Sequence, residues 1–173
     1  MTALAHRVSA ILCLWALSGC LFTADEITPA AVSNGGPSSP SAVFALLTRA
    51  YENRSVTTLG QILSSDYLFQ ADAASLINPA ENTWGKDVEL DRHRRMFQAI
   101  QNVTCSVMWD SLSPKPESAP RETTWTVYSL EMTMDYDGQS YDVRGQADFR
   151  LRAEPQTDGS NRYQIVKWTD RNQ

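Results

Sequence analysis

Two long segments of alternating polarity, Thr123 to Asp135 and Ser140 to Ala153, flank the pair Asp137-Gly138. A two-residue turn needs positive φ, which glycine adopts without steric cost, so this pair marks a β-hairpin and fixes the register of both strands. One face of the resulting ladder carries Met134/Tyr141, Met132/Val143, Leu130/Gly145, Tyr128/Ala147 and Thr126/Phe149. The other carries Thr133/Asp142, Glu131/Arg144, Ser129/Gln146, Val127/Asp148 and Trp125/Arg150. Apolar and polar side chains separate almost fully, and a slip of one residue would exchange the faces. Glu131 meets Arg144 as an opposite-charge pair and Trp125 meets Arg150 as a cation–π pair. The apolar face holds no carboxylate.

The rest of the chain supplies partners for that face. Val43, Leu46, Leu47, Ala50 and Tyr51 recur at helical spacing after Ser41, an N-cap candidate. Asn53-Arg54-Ser55 breaks this helix. A short second helix carries Leu59, Ile62 and Leu63 and ends near Ser64-Ser65-Asp66. Tyr67-Leu68-Phe69 is extended, Gln70 to Lys86 reads as loop, and a third helix runs from Asp87 to Gln101. Val103, Cys105, Val107 and Trp109 alternate with polar residues as a strand. Ser113 to Ser118 is a loop, and Tyr163 to Trp168 is the last strand. The fold class is therefore α+β, with N-terminal helices packed on a curved, mostly antiparallel sheet.

Met1 to Cys20 has a different character. Arg7 precedes an apolar core, Val8 to Leu17, too short to span a bilayer. It ends in Leu17-Ser18-Gly19-Cys20. This junction resembles the bacterial lipoprotein signal, in which the cysteine becomes the acylated first residue of the mature chain. The resemblance implies a cleaved signal over residues 1–19 and a lipid anchor, such as palmitate, on Cys20. It also implies an exported protein at the periplasmic face of the outer membrane or the cell surface. Leu21 after Cys20 favours the outer membrane. Residues 20–40, with Ser33-Asn34-Gly35-Gly36-Pro37-Ser38-Ser39-Pro40, read as a flexible linker with a reach of about 25 Å. Residues 41–173 form one domain. Cys13 leaves with the signal and Cys20 is acylated, so Cys105 is alone and expected to be buried without a disulfide.

Short helices followed by a meander of long strands resemble the nuclear transport factor 2-like cone fold. The resemblance rests on the helix from Ala42 to Tyr51, the helix at Leu59 to Leu63 and the entry into a strand at Asp66-Tyr67-Leu68-Phe69. It rests also on the long strand Gly145 to Leu151 and the closing strand Tyr163 to Asp170. It implies a cavity between sheet and helices, and a second sheet face that mediates dimers in many relatives. That superfamily hosts ketosteroid isomerases, dehydratases, polyketide cyclases and modules without chemistry, so the fold leaves function open.

The candidate ligand contacts are Trp84, His93, Phe97, Tyr128, Met132 and Tyr141. His93 falls among Leu90, Met96, Phe97 and Ile100 on the third helix and is expected to face the sheet. His93, Asp66 and Tyr51 are the candidates for catalysis, as acid, base or oxyanion donor. Arg92, Arg94 and Arg95 read as a solvated face. A net charge of −5 gives no electrostatic footprint for nucleic acid. No phosphate-cradling loop, serine triad or metal-spaced cluster is visible, and His6 leaves with the signal, so neither a metal nor a cofactor is expected. Charged residues on the outward hairpin face, Glu131, Asp135, Asp142, Arg144, Asp148, Arg150 and Arg152, favour a monomer or a weak dimer. The reading favours a tethered, non-catalytic domain that binds a small apolar ligand or an envelope protein. The alternatives are an isomerase- or dehydratase-like enzyme centred on His93, and a purely structural or assembly lipoprotein.

Overall fold

The computed structural model describes residues 36–72 and 82–171. The signal segment, Cys20 and the linker up to Gly35 lie outside the described residues. Helix α1 spans Pro40–Glu52 and α2 spans Val56–Ile62. Strand β1, Leu63–Gln70, is followed by β2, Thr83–Gly85, and by helix α3, Lys86–Ala99. Strands β3 (Val103–Trp109), β4 (Lys115–Pro116), β5 (Glu122–Tyr136), β6 (Gln139–Pro155) and β7 (Asn161–Arg171) complete the chain.

Local chemistry sets the element ends. The N-cap of α1 is Ser39, whose hydroxyl accepts from Ala42 N–H at 3.2 Å, not Ser41. Pro40 has its φ preset for a helix and no N–H to satisfy, so the cap falls one residue before it. The Ser41 hydroxyl lies 2.9 Å from that of Ser39. Pro37, read from sequence as linker, is buried, and its carbonyl accepts from Tyr163 N–H at 2.8 Å. Arg54 takes φ +50° at the corner between the first two helices, and Ser55 caps α2. Helix α2 stops at Ile62, earlier than the sequence suggests, because Leu63 already pairs with Ile165 in the sheet. Short strands β2 and β4 replace stretches expected to be loop: β2 pairs with Leu68–Gln70, and β4 with Thr123 and Thr124.

The strands form one sheet in the order β2-β1-β7-β6-β5-β3, with β4 added to β5. Among the described strands, β1 and β7 run parallel and the other neighbours antiparallel. The helices cover one face, and Val43, Leu47, Leu59, Ile62, Leu63, Val127, Phe149, Leu151 and Ile165 fill the space between. Phe44 of α1 meets Phe149 edge-on at 5.6 Å and Trp109 at 4.8 Å.

The hairpin follows the expected register from its turn down to Leu130/Gly145, with Asp137 and Gly138 at positive φ. It then shifts. Val127 pairs with Ala147, Thr126 with Asp148 and Trp125 with Phe149, and on the other side Met108 and Trp109 face Ser129 and Val127. Tyr128 is the extra residue against both neighbours, a β-bulge that turns the faces over. This corrects the expected pairs Tyr128/Ala147, Thr126/Phe149, Val127/Asp148 and Trp125/Arg150. Val127 and Trp125 point inward, and Trp125 lies edge-on to Trp109 at 5.1 Å instead of under Arg150. Tyr128 is pushed outward and is 51% exposed.

The cap assignment is testable by urea denaturation. Ser39→Ala should lower stability by about 1 kcal/mol, and Ser41→Ala by less than half of that.

Candidate functional site

A cavity of about 490 Å³ opens between α3, the β5–β6 hairpin and the ends of β1 and β7. The hairpin contributes Leu130, Met132, Val143, Arg144, Gly145 and Gln146, with no carboxylate. Phe69 and Trp168 follow from the neighbouring strands. Phe69 stacks on Trp84 at 4.3 Å and meets Trp168 at 5.6 Å, so one wall is a continuous aromatic surface. Arg92 lies over the same indole, 3.7 Å from its centroid.

The floor is polar. His93 is 11% exposed at its side chain and faces the interior, as the helical spacing predicts. Its Nδ1 is 2.9 Å from the Glu89 carbonyl, and its Nε2 is 2.7 Å from the Tyr51 hydroxyl. A carbonyl only accepts, so Nδ1 donates; in the neutral ring Nε2 then accepts from Tyr51. Burial, and then the charge of Glu89, raise the Tyr51 phenol well above its ordinary value, so it stays a neutral donor. The rings of Tyr51 and His93 rest edge-on against Phe97.

Three carboxylates line the cavity, Asp72, Glu89 and Asp170. Glu89 is 3% exposed; it accepts from the Trp84 indole N–H and stands 3.4 Å from His93 Nδ1. Asp170 accepts from the Trp168 indole N–H at 2.9 Å. Burial pushes the Asp170 carboxyl up to about 6, and the charges of Glu89 and Asp72 add to the rise against the indole hydrogen bond. The hairpin's share of the lining is free of carboxylates, and α3, β7 and Asp72 supply the ones the cavity holds.

The structure thus brings together four of the sequence-derived candidates: Tyr51, Trp84, His93 and Met132. Phe97 is buried behind the cavity and serves as packing. Tyr128 is carried outward by the bulge. Tyr141 sits near the hairpin turn beside Tyr136, its hydroxyl donating to Gln139, and does not line the cavity. Asp66 is on the outer side of the sheet. It receives two hydrogen bonds from Arg152, at 2.8 and 3.2 Å, and one from Ser64, and these hold its carboxyl down at about 2. Arg92, read as part of a solvated face, lines the cavity because its guanidinium folds back over Trp84. Glu89 and Asp170 escaped the sequence reading although periodicity marks both. Glu89 is one helical turn before His93, and Asp170 is two residues beyond Trp168 on the same strand face. Burial pushes the Cys105 thiol up to about 12, which leaves it inert.

Two measurements check the floor. Tyr51→Phe should cost about 1 kcal/mol, because the buried His93 Nε2 loses its donor. Asp170 holds its proton more tightly when folded than its ordinary value of 3.8 allows. Its contribution to stability is therefore full below about pH 4 and is lost as pH rises through about 6. Asp170→Asn should remove that dependence, making the variant more favourable relative to wild type at pH 7 than at pH 4. After solvent screening of a part-exposed group the difference is of order 1 kcal/mol.

No protein-family model matches the chain, and no curated protein matches it. Solved structures do. A conserved protein from Planctomyces limnophilus is 14% identical, with a TM-score of 0.58 over 75% of this chain and 89% of its own. An NTF2-like protein of unknown function in nutrient uptake from Rhodospirillum rubrum is 12% identical, with a TM-score of 0.55 over 76% and 96%. LinA is 10% identical, with a TM-score of 0.53 over 75% and 80%. At such identities the likeness concerns the backbone alone, and it establishes that the chain has the NTF2-like fold.

Proposed function

We propose that this chain is an exported, lipid-anchored binding protein whose cone cavity holds a small organic molecule. The observation that carries the reading is the cavity itself. Its volume of about 490 Å³ lies in the range of small-molecule sites, and it joins an aromatic wall to a few convergent polar groups. The ligand class that fits has an apolar body against Phe69, Trp168 and Met132 and a polar head on the floor. The anchor on Cys20 supports a place at the envelope surface, on the outer membrane. The outward sheet face supports a monomer or a weak dimer. There Arg150 pairs with Glu117 and Glu122, Arg152 with Asp66 and Glu122, and Arg171 with Asp148, and burying such a face would cost desolvation.

One observation favours a second reading, an enzyme of isomerase or dehydratase type. A carboxyl at about 6 shares the cavity with a neutral phenol and an oriented imidazole, which is the equipment of general acid–base catalysis. In that reading Asp170 is the proton-transferring group and Tyr51 with His93 form the hydrogen-bonding partner.

Native mass spectrometry of the mature protein, purified from a bacterial envelope, tests the binding reading. Wild type should retain a stoichiometric low-mass adduct or respond in tryptophan fluorescence to members of a fragment library. Gly145→Trp should abolish both while leaving the fold intact, since a side chain there enters open cavity space. A wild type with neither adduct nor response overturns the reading. For the anchor, Cys20→Ser should move the protein from the detergent phase to the aqueous phase in detergent partitioning. Unchanged partitioning would refute acylation at Cys20.

A further inference from the structure

We infer that the cavity floor is a seat for a protonated amine, so that the ligand's polar head is an ammonium group; this rests on the binding reading above and names its ligand class. The argument begins with where the arginines go. On the outer face, carboxylates meet guanidinium groups: Asp66, Glu117, Glu122 and Asp148 all pair with Arg150, Arg152 or Arg171. Inside the cavity, two of the three lining carboxylates are treated differently. Among the described residues, Glu89 and Asp170 pair with no lysine or arginine. Each receives a neutral indole N–H, and Glu89 has in addition only the His93 ring at 3.4 Å.

A buried carboxylate without a cation is costly, and the cost ends when a cation arrives or a proton is held. The upward shift of Asp170 is the second of these at work in the empty cavity, and its causes include the charge of Glu89. The arginines that line the cavity are engaged elsewhere. Arg171 binds Asp148 at 2.7 Å, Arg144 lies 4.0 Å from Glu131, and Arg92 is laid over Trp84.

A second observation is a buried hydroxyl without a partner. Tyr67 is 3% exposed, and its hydroxyl has no hydrogen-bond partner among the described residues. The groups whose charge acts on it are Glu89, Tyr51 and Asp170, all of which line the cavity. A buried hydroxyl needs a partner as much as a carboxylate does. An R–NH₃⁺ head offers three N–H donors, and the lining offers the carboxylates of Glu89 and Asp170 to accept them. A hydroxyl head would leave the charge unanswered. A carboxylate head would be repelled.

Three probes of one shape test this on the mature protein by calorimetry: 2-phenylethylammonium, the neutral 2-phenylethanol and the anionic 3-phenylpropanoate. The ammonium should bind about tenfold or more tightly than the alcohol, and the carboxylate should not bind. Asp170→Asn and Glu89→Gln should each weaken the ammonium about tenfold and leave the alcohol unchanged. Asp170→Asn is the variant to rely on if Glu89→Gln fails to fold. If the alcohol or the carboxylate binds as tightly as the ammonium, the amine assignment is wrong and the cavity still binds small molecules. If no probe binds while wild type keeps an adduct that Gly145→Trp loses, the amine assignment also falls and the binding reading stands. If neither probes nor adduct are seen, both fall.

Discussion

The bulge at Tyr128 is the constraint on which the rest of the sheet depends. Strands β5 and β6 are long enough to serve two separate tasks, one near the hairpin turn and one near the helices. With an unbroken alternation, a residue set that faced the cavity near the turn would leave Trp125 outside and Thr126 inside at the other end. The extra residue resets the phase between Val127 and Leu130. Leu130, Met132 and Val143 then face the cavity, while Val127, Trp125 and Phe149 face α1. Bulges also bend the strand that carries them, and a bent β5 suits a sheet that curves around its helices.

Helix α3 is fixed to this frame at both ends and in the middle. Lys86 donates from Nζ to the carbonyls of Gly60 and Leu63, which ties the start of α3 to the end of α2. Arg54 donates to the Ile100 carbonyl and ties its far end to the α1–α2 corner. Between them, Tyr51 and His93 join α1 to α3. Four hydrogen bonds, each using a backbone carbonyl or a partly buried ring, thus hold the helix that carries Glu89, Arg92 and His93. A site built on a helix restrained in this way has a defined floor before any ligand enters.

Much of this was legible in the sequence, and the parts that were not have physical reasons. The helix positions, the Asp137-Gly138 turn, the register down to Leu130 and the inward aim of His93 all follow from periodicity and turn chemistry. The bulge was hidden because its sequence, Val127-Tyr128-Ser129, alternates as well with it as without it; only the packing of Trp125 against Trp109 decides between them. Tyr128 therefore looked like a cavity residue and is not, whereas Tyr141 lies too near the turn to line the cavity. Asp66 looked like a base because of its place at the strand entry, whereas an arginine on a strand far away in sequence, Arg152, claims it. Glu89 and Asp170 were overlooked for a different reason. Charged residues are expected outside, and so the helical spacing that places Glu89 next to His93 was not followed up.

That spacing bears on which group acts if the cavity does chemistry. The Glu89 carbonyl fixes the His93 proton on Nδ1, and the Tyr51 hydroxyl occupies the lone pair on Nε2. Neutral His93 therefore has no free nitrogen to take a proton from a ligand, and it acts by orienting Tyr51. The proton acceptor that remains at the floor with a value near neutrality is Asp170. An enzyme reading centred on His93 thus becomes one centred on Asp170, with His93 as a positioning residue. The two readings of the cavity then ask opposite things of the same carboxyl. Proton transfer uses Asp170 because it ionises near neutral pH. A bound ammonium would lower that value and keep it ionised, since an opposite charge at close range favours the charged form. An occupant that holds Asp170 as a counter-ion is therefore a poor subject for acid–base chemistry at the same group, and the ionisation of Asp170 in the occupied cavity separates a binding protein from an enzyme.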